Sequence, residues 1–178
     1  MAKVLVLGDS ITWGYPYGPS YSWVGILNRE FNDIFINSGI NGQTLEDIYA
    51  RIEREILEYN PDLIILTCGI NDAFIELSID EIYFYINKIV EVVLTKNIKL
   101  IFGIPFNIVD YPHVDKKLRK IQDIIIETCS RYGLDYIDFR DNISLFDECH
   151  PNKDGYKAMA EIAKKKLLSL SYVKKILF

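Results

Sequence analysis

The strongest constraint on the fold is an alternation. Short aliphatic runs at residues 3–7, 34–37, 63–67, 99–102 and 134–137 are separated by longer segments in which apolar residues recur every three or four positions. Strands spaced by helices are joined by crossovers rather than hairpins, which predicts a parallel sheet covered by helices on both faces. The expected fold class is α/β, a three-layer α/β/α arrangement around a five-stranded parallel sheet. The 178 residues, 49% of them apolar, suffice for one core that buries about 70% of the unfolded surface. No repeat, linker or low-complexity stretch divides the chain, so residues 1–178 are expected to form a single domain.

The helical segments carry their own punctuation. Thr44 and Asp47 form a capping box ahead of Leu45, Ile48, Ile52 and Ile56, and Asn60-Pro61 ends that helix. Ser78 and Glu81 repeat the device before Ile79, Ile82, Ile86, Ile89 and Val93. Leu118, Ile121, Ile125 and Cys129 mark a further helix that Gly133 terminates in a left-handed conformation. A last helix is expected from near Lys153, with Tyr156, Met159 and Ile162 on one side.

Charge and cysteine usage narrow the partners. A net charge of −5 with both signs interspersed leaves no footprint for nucleic acid or anionic lipid. The apolar runs fall short of the ~20 residues that cross a bilayer, so no stable membrane anchor is expected. Three cysteines without paired spacing, and no charged-then-apolar leader, predict a reduced, cytoplasmic protein. A small molecule or another protein remains as partner. The basic, partly apolar tail SYVKKILF is expected to pack on the domain or on a second copy, which would make a homo-oligomer.

Ligands of open parallel sheets bind beyond the carboxyl ends of the strands, and the polar residues gather there. An acyl-transfer site needs a serine oxygen, a base for its proton, an acid to hold the base and donors for an oxyanion. Ser10 follows the first strand, although a serine after Gly8-Asp9 is by itself an ordinary cap or turn residue. Two histidines compete as base, because Asp147-Glu-Cys-His150 and Asp110-Tyr-Pro-His113 both place a carboxylate three residues before an imidazole. Spacing alone does not separate them. Pro112 biases Tyr111 towards extended backbone and disfavours a closed contact, whereas Pro151 holds His150 just ahead of the last helix. His113 then reads as a solvated residue at a helix start. Asn71 offers a neutral amide to an oxyanion and Gly42 a backbone N–H, although each is also a common turn residue.

Four blocks carry a family resemblance: GDSI (8–11), NSGINGQT (37–44), GIND (69–72) and DECHP (147–151). In this order, and together spanning nearly the whole chain, they resemble the SGNH hydrolases, the GDSL-type esterases and lipases. The resemblance implies a flavodoxin-like SGNH hydrolase fold, with Ser10 as nucleophile, His150 as base and Asp147 as its orienting acid. It implies an oxyanion hole made of the Ser10 and Gly42 N–H groups and the Asn71 side chain, and it makes His113 a bystander. Ile11 replaces the commoner leucine of the first block, an apolar exchange. In the second block the alignment admits a slip to Gly39, which Thr44 two residues after Gly42 disfavours.

The function this implies is a serine esterase or acylhydrolase, independent of metal or cofactor, that hydrolyses small carboxylic esters with short-chain acyl, aryl or acetylated-sugar groups. Lysophospholipase or thioesterase activity is the alternative within the family, and a silent ligand-binding module the alternative outside it. Asp9 and Asp72 are expected to brace loops. Cys149 is set aside as a nucleophile because sequence neighbours generally point apart, and no His, Cys and acid cluster has metal-ligand spacing. Of the aromatics after Ser10, Trp23 is expected in the core, and Tyr15 and Tyr17 are expected to line the substrate pocket.

Overall fold

A computed structural model describes residues 2–31, 34–75, 77–140 and 143–172. The five strands β1 (Lys3–Gly8), β2 (Ile34–Gly39), β3 (Leu63–Thr67), β4 (Lys99–Ile104) and β5 (Asp135–Asp138) form one parallel sheet in the order β2-β1-β3-β4-β5. β1 and β3 are aliphatic and buried on both faces, as helices on either side require. The chain leaves β1 first towards β2 and later crosses to β3, so the crevice of this topology opens at the carboxyl end of β1. The α/β expectation is met. Four strands run further than the sequence pattern indicates, because Gly8, Gly39, Ile104 and Asp138 still pair in the ladder after the aliphatic run has stopped.

Seven helices are described: α1 (Ser10–Trp13), α2 (Trp23–Glu30), α3 (Leu45–Tyr59), α4 (Ile70–Phe74), α5 (Ile79–Thr95), α6 (Pro112–Tyr132) and α7 (Lys153–Ser169). Both expected capping boxes are formed, Thr44 with Asp47 and Ser78 with Glu81. Asn60 and Gly133 end their helices in left-handed backbone. On α7, Tyr156 and Met159 are buried and Ile162 lies at the edge of the core. Three helices were not announced by the pattern, the short α1 and α4 and the longer α2. The last is capped by Ser22, whose hydroxyl accepts from Gly25 N at 3.0 Å, and it buries Trp23, Val24 and Leu27 against β2 and α7. The expected packing of residues 171–178 falls mostly on residues 173–178, outside the described residues.

Candidate active site

The position of Ser10 follows from the way β1 stops. Asp9 caps α1 by accepting from Ile11 N at 2.9 Å, which makes Ser10 the first residue of a one-turn helix. Gly8 allows that turn to sit tightly on β3, since a Cβ there would lie 2.1 Å from Thr12 Oγ1 and 2.6 Å from the Thr67 carbonyl. Ser10 Oγ stands 3.0 Å from His150 Nε2.

His150 comes from a loop tied shut. Leu145 and Pro151 form an antiparallel bridge, and Phe146 N donates to the His150 carbonyl at 2.7 Å. Inside this loop Asp147 accepts from the backbone N–H groups of Cys149 (3.0 Å) and His150 (2.7 Å), and its Oδ2 lies 2.8 Å from His150 Nδ1. With the proton on Nδ1, Asp147 accepts it and Nε2 is left to accept from Ser10. Asn152 then caps α7 through Asp154 N (3.0 Å) and Gly155 N (2.9 Å), which anchors the loop to a long helix. The Tyr15 ring lies against the imidazole, centroids 4.6 Å apart.

Gly42 takes φ +80° at the third position of a turn closed by Gln43 N donating to the Ile40 carbonyl at 3.3 Å. That conformation favours glycine, and no atom lies within 4 Å of where a Cβ would be. The N–H of Gly39, the other glycine of this block, instead donates to Asn37 Oδ1 at 3.0 Å. Asn71 Nδ2 donates one hydrogen to the Gln43 carbonyl at 2.9 Å; an amide nitrogen carries two, so the second is available to a substrate oxygen. Asp72 accepts from Leu45 N at 3.0 Å and so joins α4 to the start of α3. Asp9 and Asp72 are thus the loop braces expected.

Beneath these loops lies a charged network that pattern reading missed. Arg51 on α3 pairs with Glu55 and donates to the Ser38 carbonyl (2.8 Å), Ser38 Oγ (2.7 Å), Gln43 Oε1 (2.7 Å) and the Gly8 carbonyl (3.3 Å). One guanidinium therefore fastens the ends of β1 and β2 and the Gly42 turn. The available signal was an Arg and a Glu at i,i+4 within the apolar stripe of Ile48, Ile52 and Ile56. Asn37 is a second omission, donating to the Thr12 carbonyl at 2.7 Å and to Ser22 Oγ at 3.1 Å.

Burial shapes the electrostatics. It pushes the Asp9 carboxyl up to about 7, aided by the neighbouring Asp72 and opposed by the Ile11 N–H. Burial also raises Asp72 and lifts the Cys68 thiol beside it. For Asp147 burial works the same way but is outweighed by the Cys149 N–H, the His150 ring and the His150 N–H, which hold it below the usual carboxylate range. Burial and the nearby carboxylates push the Cys149 thiol up to about 11, so it is a poor nucleophile.

Ser10, Asp147 and His150 thus meet, with Gly42 and Asn71 on the adjoining loops. His113 is exposed and lines a surface groove with Leu77, Lys116 and Lys120. Tyr17 packs edge-on against Phe146 and Tyr156, one step behind Tyr15. Two expectations need correction. Cys149 does not point away from its neighbour, because the tight bend between the two bridged residues turns its Sγ to 3.4 Å from His150 Nδ1. For the same reason Asp147, Cys149 and His150 bring three potential metal donors within 4.8 Å of one another, a cluster that linear spacing did not reveal.

Residues 6–158 match the model of the GDSL-like Lipase/Acylhydrolase family. Among curated relatives the chain is 34% identical over 76 residues to an arylesterase of Vibrio mimicus, covering 40% of this chain and 38% of that protein. It is 37% identical over 79 residues to the uncharacterized lipoprotein YqeF of Bacillus subtilis (strain 168), covering 40% of this chain and 32% of the relative. The match thus spans about a third of the length of these relatives. Among solved structures, a lipolytic protein of the G-D-S-L family from Desulfitobacterium hafniense DCB-2 superposes with a TM-score of 0.84 at 27% identity, covering 93% of this chain and 99% of that one. No helix among the described residues is long and apolar enough to cross a membrane.

Proposed function

The chain belongs to the GDSL-like lipase/acylhydrolase family, and from that premise we propose a serine esterase that hydrolyses small carboxylic esters through an acyl-enzyme. The observation that carries the reading is the relay of Ser10 Oγ at 3.0 Å from His150 Nε2 and His150 Nδ1 at 2.8 Å from Asp147. Ser10 attacks the ester carbonyl while its proton passes to Nε2, and the Asp147 carboxylate stabilises the imidazolium that forms. The carbonyl oxygen, now an anion, faces the N–H groups of Ser10 and Gly42 and the free amide hydrogen of Asn71. Each such donor is typically worth about 3 kcal/mol at the transition state. Collapse expels the alcohol, which takes the proton from Nε2. Water then attacks the acyl-serine, His150 acting again as base, and the acid leaves. Gly42 is preferred over Gly39 as donor because the Gly39 N–H already serves Asn37.

Because Nε2 hands its proton to the departing oxygen, the leaving group lies on the imidazole side. Tyr15 against His150, with Tyr17 and Phe146 behind it, gives that side aromatic faces. Aryl or sugar alcohols suit such faces, and the arylesterase name of the Vibrio mimicus relative agrees with the first. The reading treats residues 1–178 as one hydrolase unit working in the cytoplasm, supported by three free thiols. The lipoprotein name of the Bacillus subtilis relative points elsewhere, and cell fractionation decides between them.

Labelling with a fluorophosphonate tests the chemistry. The wild type is expected to be labelled and to turn over short-chain aryl and acetyl-sugar esters. Ser10→Ala is expected to lose labelling and on the order of 10⁶-fold in kcat. Equal labelling or turnover in the two proteins would overturn the assignment, and a folded wild type inert to both would favour a binding module.

A further inference from the structure

The donor cluster beside the relay has a use that ester hydrolysis does not require. We propose that a borderline-soft divalent cation of the zinc type binds across Asp147, Cys149 and His150 and switches the enzyme off by occupying Nδ1 of its base. The three residues present a carboxylate, a thiol and an imidazole from one bridged loop, with all donor atoms within 4.8 Å. His150 Nδ1 is 2.8 Å from Asp147 Oδ2 and 3.4 Å from Cys149 Sγ. A tetrahedral zinc, with Zn–N of about 2.0 Å and Zn–S of about 2.3 Å, spaces neighbouring donors about 3.5 Å apart. An ion entering in place of the Nδ1 proton therefore finds sulfur near its required separation from nitrogen, and the carboxylate needs to withdraw by less than about 1 Å.

The chemistry selects the cation class. Thiolate with imidazole favours zinc-type ions over magnesium or calcium, whose preferred ligands are all oxygen. All three residues are partly exposed, so an ion reaches them without opening the core. The thiol proton passes to solvent as the cation binds, while the imidazole ligates as the neutral ring and its one proton moves from Nδ1 to Nε2. Once bound, the cation removes the hydrogen bond by which Asp147 orients the ring and places positive charge on it. Nε2 then no longer takes the Ser10 proton. The site depends on Cys149, the one of the three that the relay does not use.

The inhibitory half rests on the reading of His150 as base, whereas the binding half does not, and the experiment separates them. Zn²⁺ is titrated into the full chain during ester turnover, and Co²⁺ is added separately to record thiolate-to-metal charge-transfer absorption. Zn²⁺ is expected to inhibit the wild type, chelator to restore it, and Mg²⁺ to do nothing. Cys149→Ser and Cys149→Ala are expected to keep basal turnover, to need at least about 10-fold more Zn²⁺, and to lose the cobalt band, since losing even an outer-shell partner costs 10- to 100-fold. Equal Zn²⁺ sensitivity in all three proteins, or no cobalt–thiolate band in the wild type, would overturn the site. A Cys149-dependent band with turnover untouched by Zn²⁺ would uphold the site and overturn His150 as base.

Discussion

On one flank of Ser10 the loops of Gly42 and Asn71 are fastened from below by buried charge. On the other, the residues around the imidazole stand half in solvent on a loop closed by one bridge. Arg51, Glu55 and Asp72 are 6%, 5% and 0% exposed, whereas Tyr15 and Phe146 are 38% and 56% exposed. The first flank cannot adapt without breaking charged hydrogen bonds, and transition-state stabilisation needs that fixity, because donors must not reorganise as charge develops. The second flank has room to vary. The proposed chemistry and the proposed leaving-group selectivity thus rest on different materials within one crevice.

The contrast breaks most severely at Arg51. Arg51→Met leaves Glu55 as an unpaired buried charge and is expected to cost about 3–5 kcal/mol in urea unfolding. Adding Glu55→Leu should recover much of that loss. A loss below about 1 kcal/mol for the single variant would mean that the network is not a clamp.

Asp9 tests the buried flank through pH. Its carboxyl sits at about 7 in the fold, against an ordinary value of 3.8. Between those values the native chain holds a proton that the unfolded chain has released. The stability of the neutral form is therefore fully present below about pH 4 and is lost as pH rises through about 7. Asp9→Asn imitates the neutral form, so its melting temperature should exceed that of the wild type at pH 8 and by less at pH 5. With one unit worth about 1.4 kcal/mol, the gap reaches about 4 kcal/mol at most. A gap independent of pH would remove Asp9 from the argument.

Asn71→Ala is expected to lower kcat by about 10²- to 10³-fold with little change in KM, because the lost hydrogen bond belongs to the transition state. An equal effect on KM would make Asn71 a substrate contact instead. Tyr15→Leu should act least. A shift of about 5- to 10-fold in the preference for aryl over alkyl leaving groups, near 1 kcal/mol, is expected without a comparable change across acyl chains. A shift following the acyl chain would place the two substrate halves the other way round.

Much of this was open to reading in the sequence, for reasons particular residues make clear. Aliphatic runs such as LIILT and boxes such as Thr44-Asp47 are local signals, and the elements they announce are present. Ser10, Asp147 and His150 were legible because blocks 140 residues apart resemble one family, and the distances between them required the fold. α2 escaped because its apolar residues follow a run of tyrosines, glycines and prolines that reads as loop. Arg51 escaped because a charged residue on an apolar stripe looks like a solvated edge until the carbonyls of Gly8 and Ser38 are brought over it. The nearness of Cys149 to the imidazole depends on the Leu145–Pro151 bridge, a contact that no periodicity encodes.

The hydrogen bond from Tyr156 to the Tyr15 carbonyl, 2.7 Å long, spans 141 residues and ties α7 to the loop behind Ser10. On the proposed mechanism, chemistry on a ribosome is then a late event. A nascent chain that has reached Arg140 holds Ser10, the Gly42 turn, Asn71 and the exposed His113, but not yet Asp147 and His150. On that mechanism ester cleavage is expected only once residues 143–156 have emerged and docked, so turnover in a stalled or truncated chain would time the arrival of one short loop.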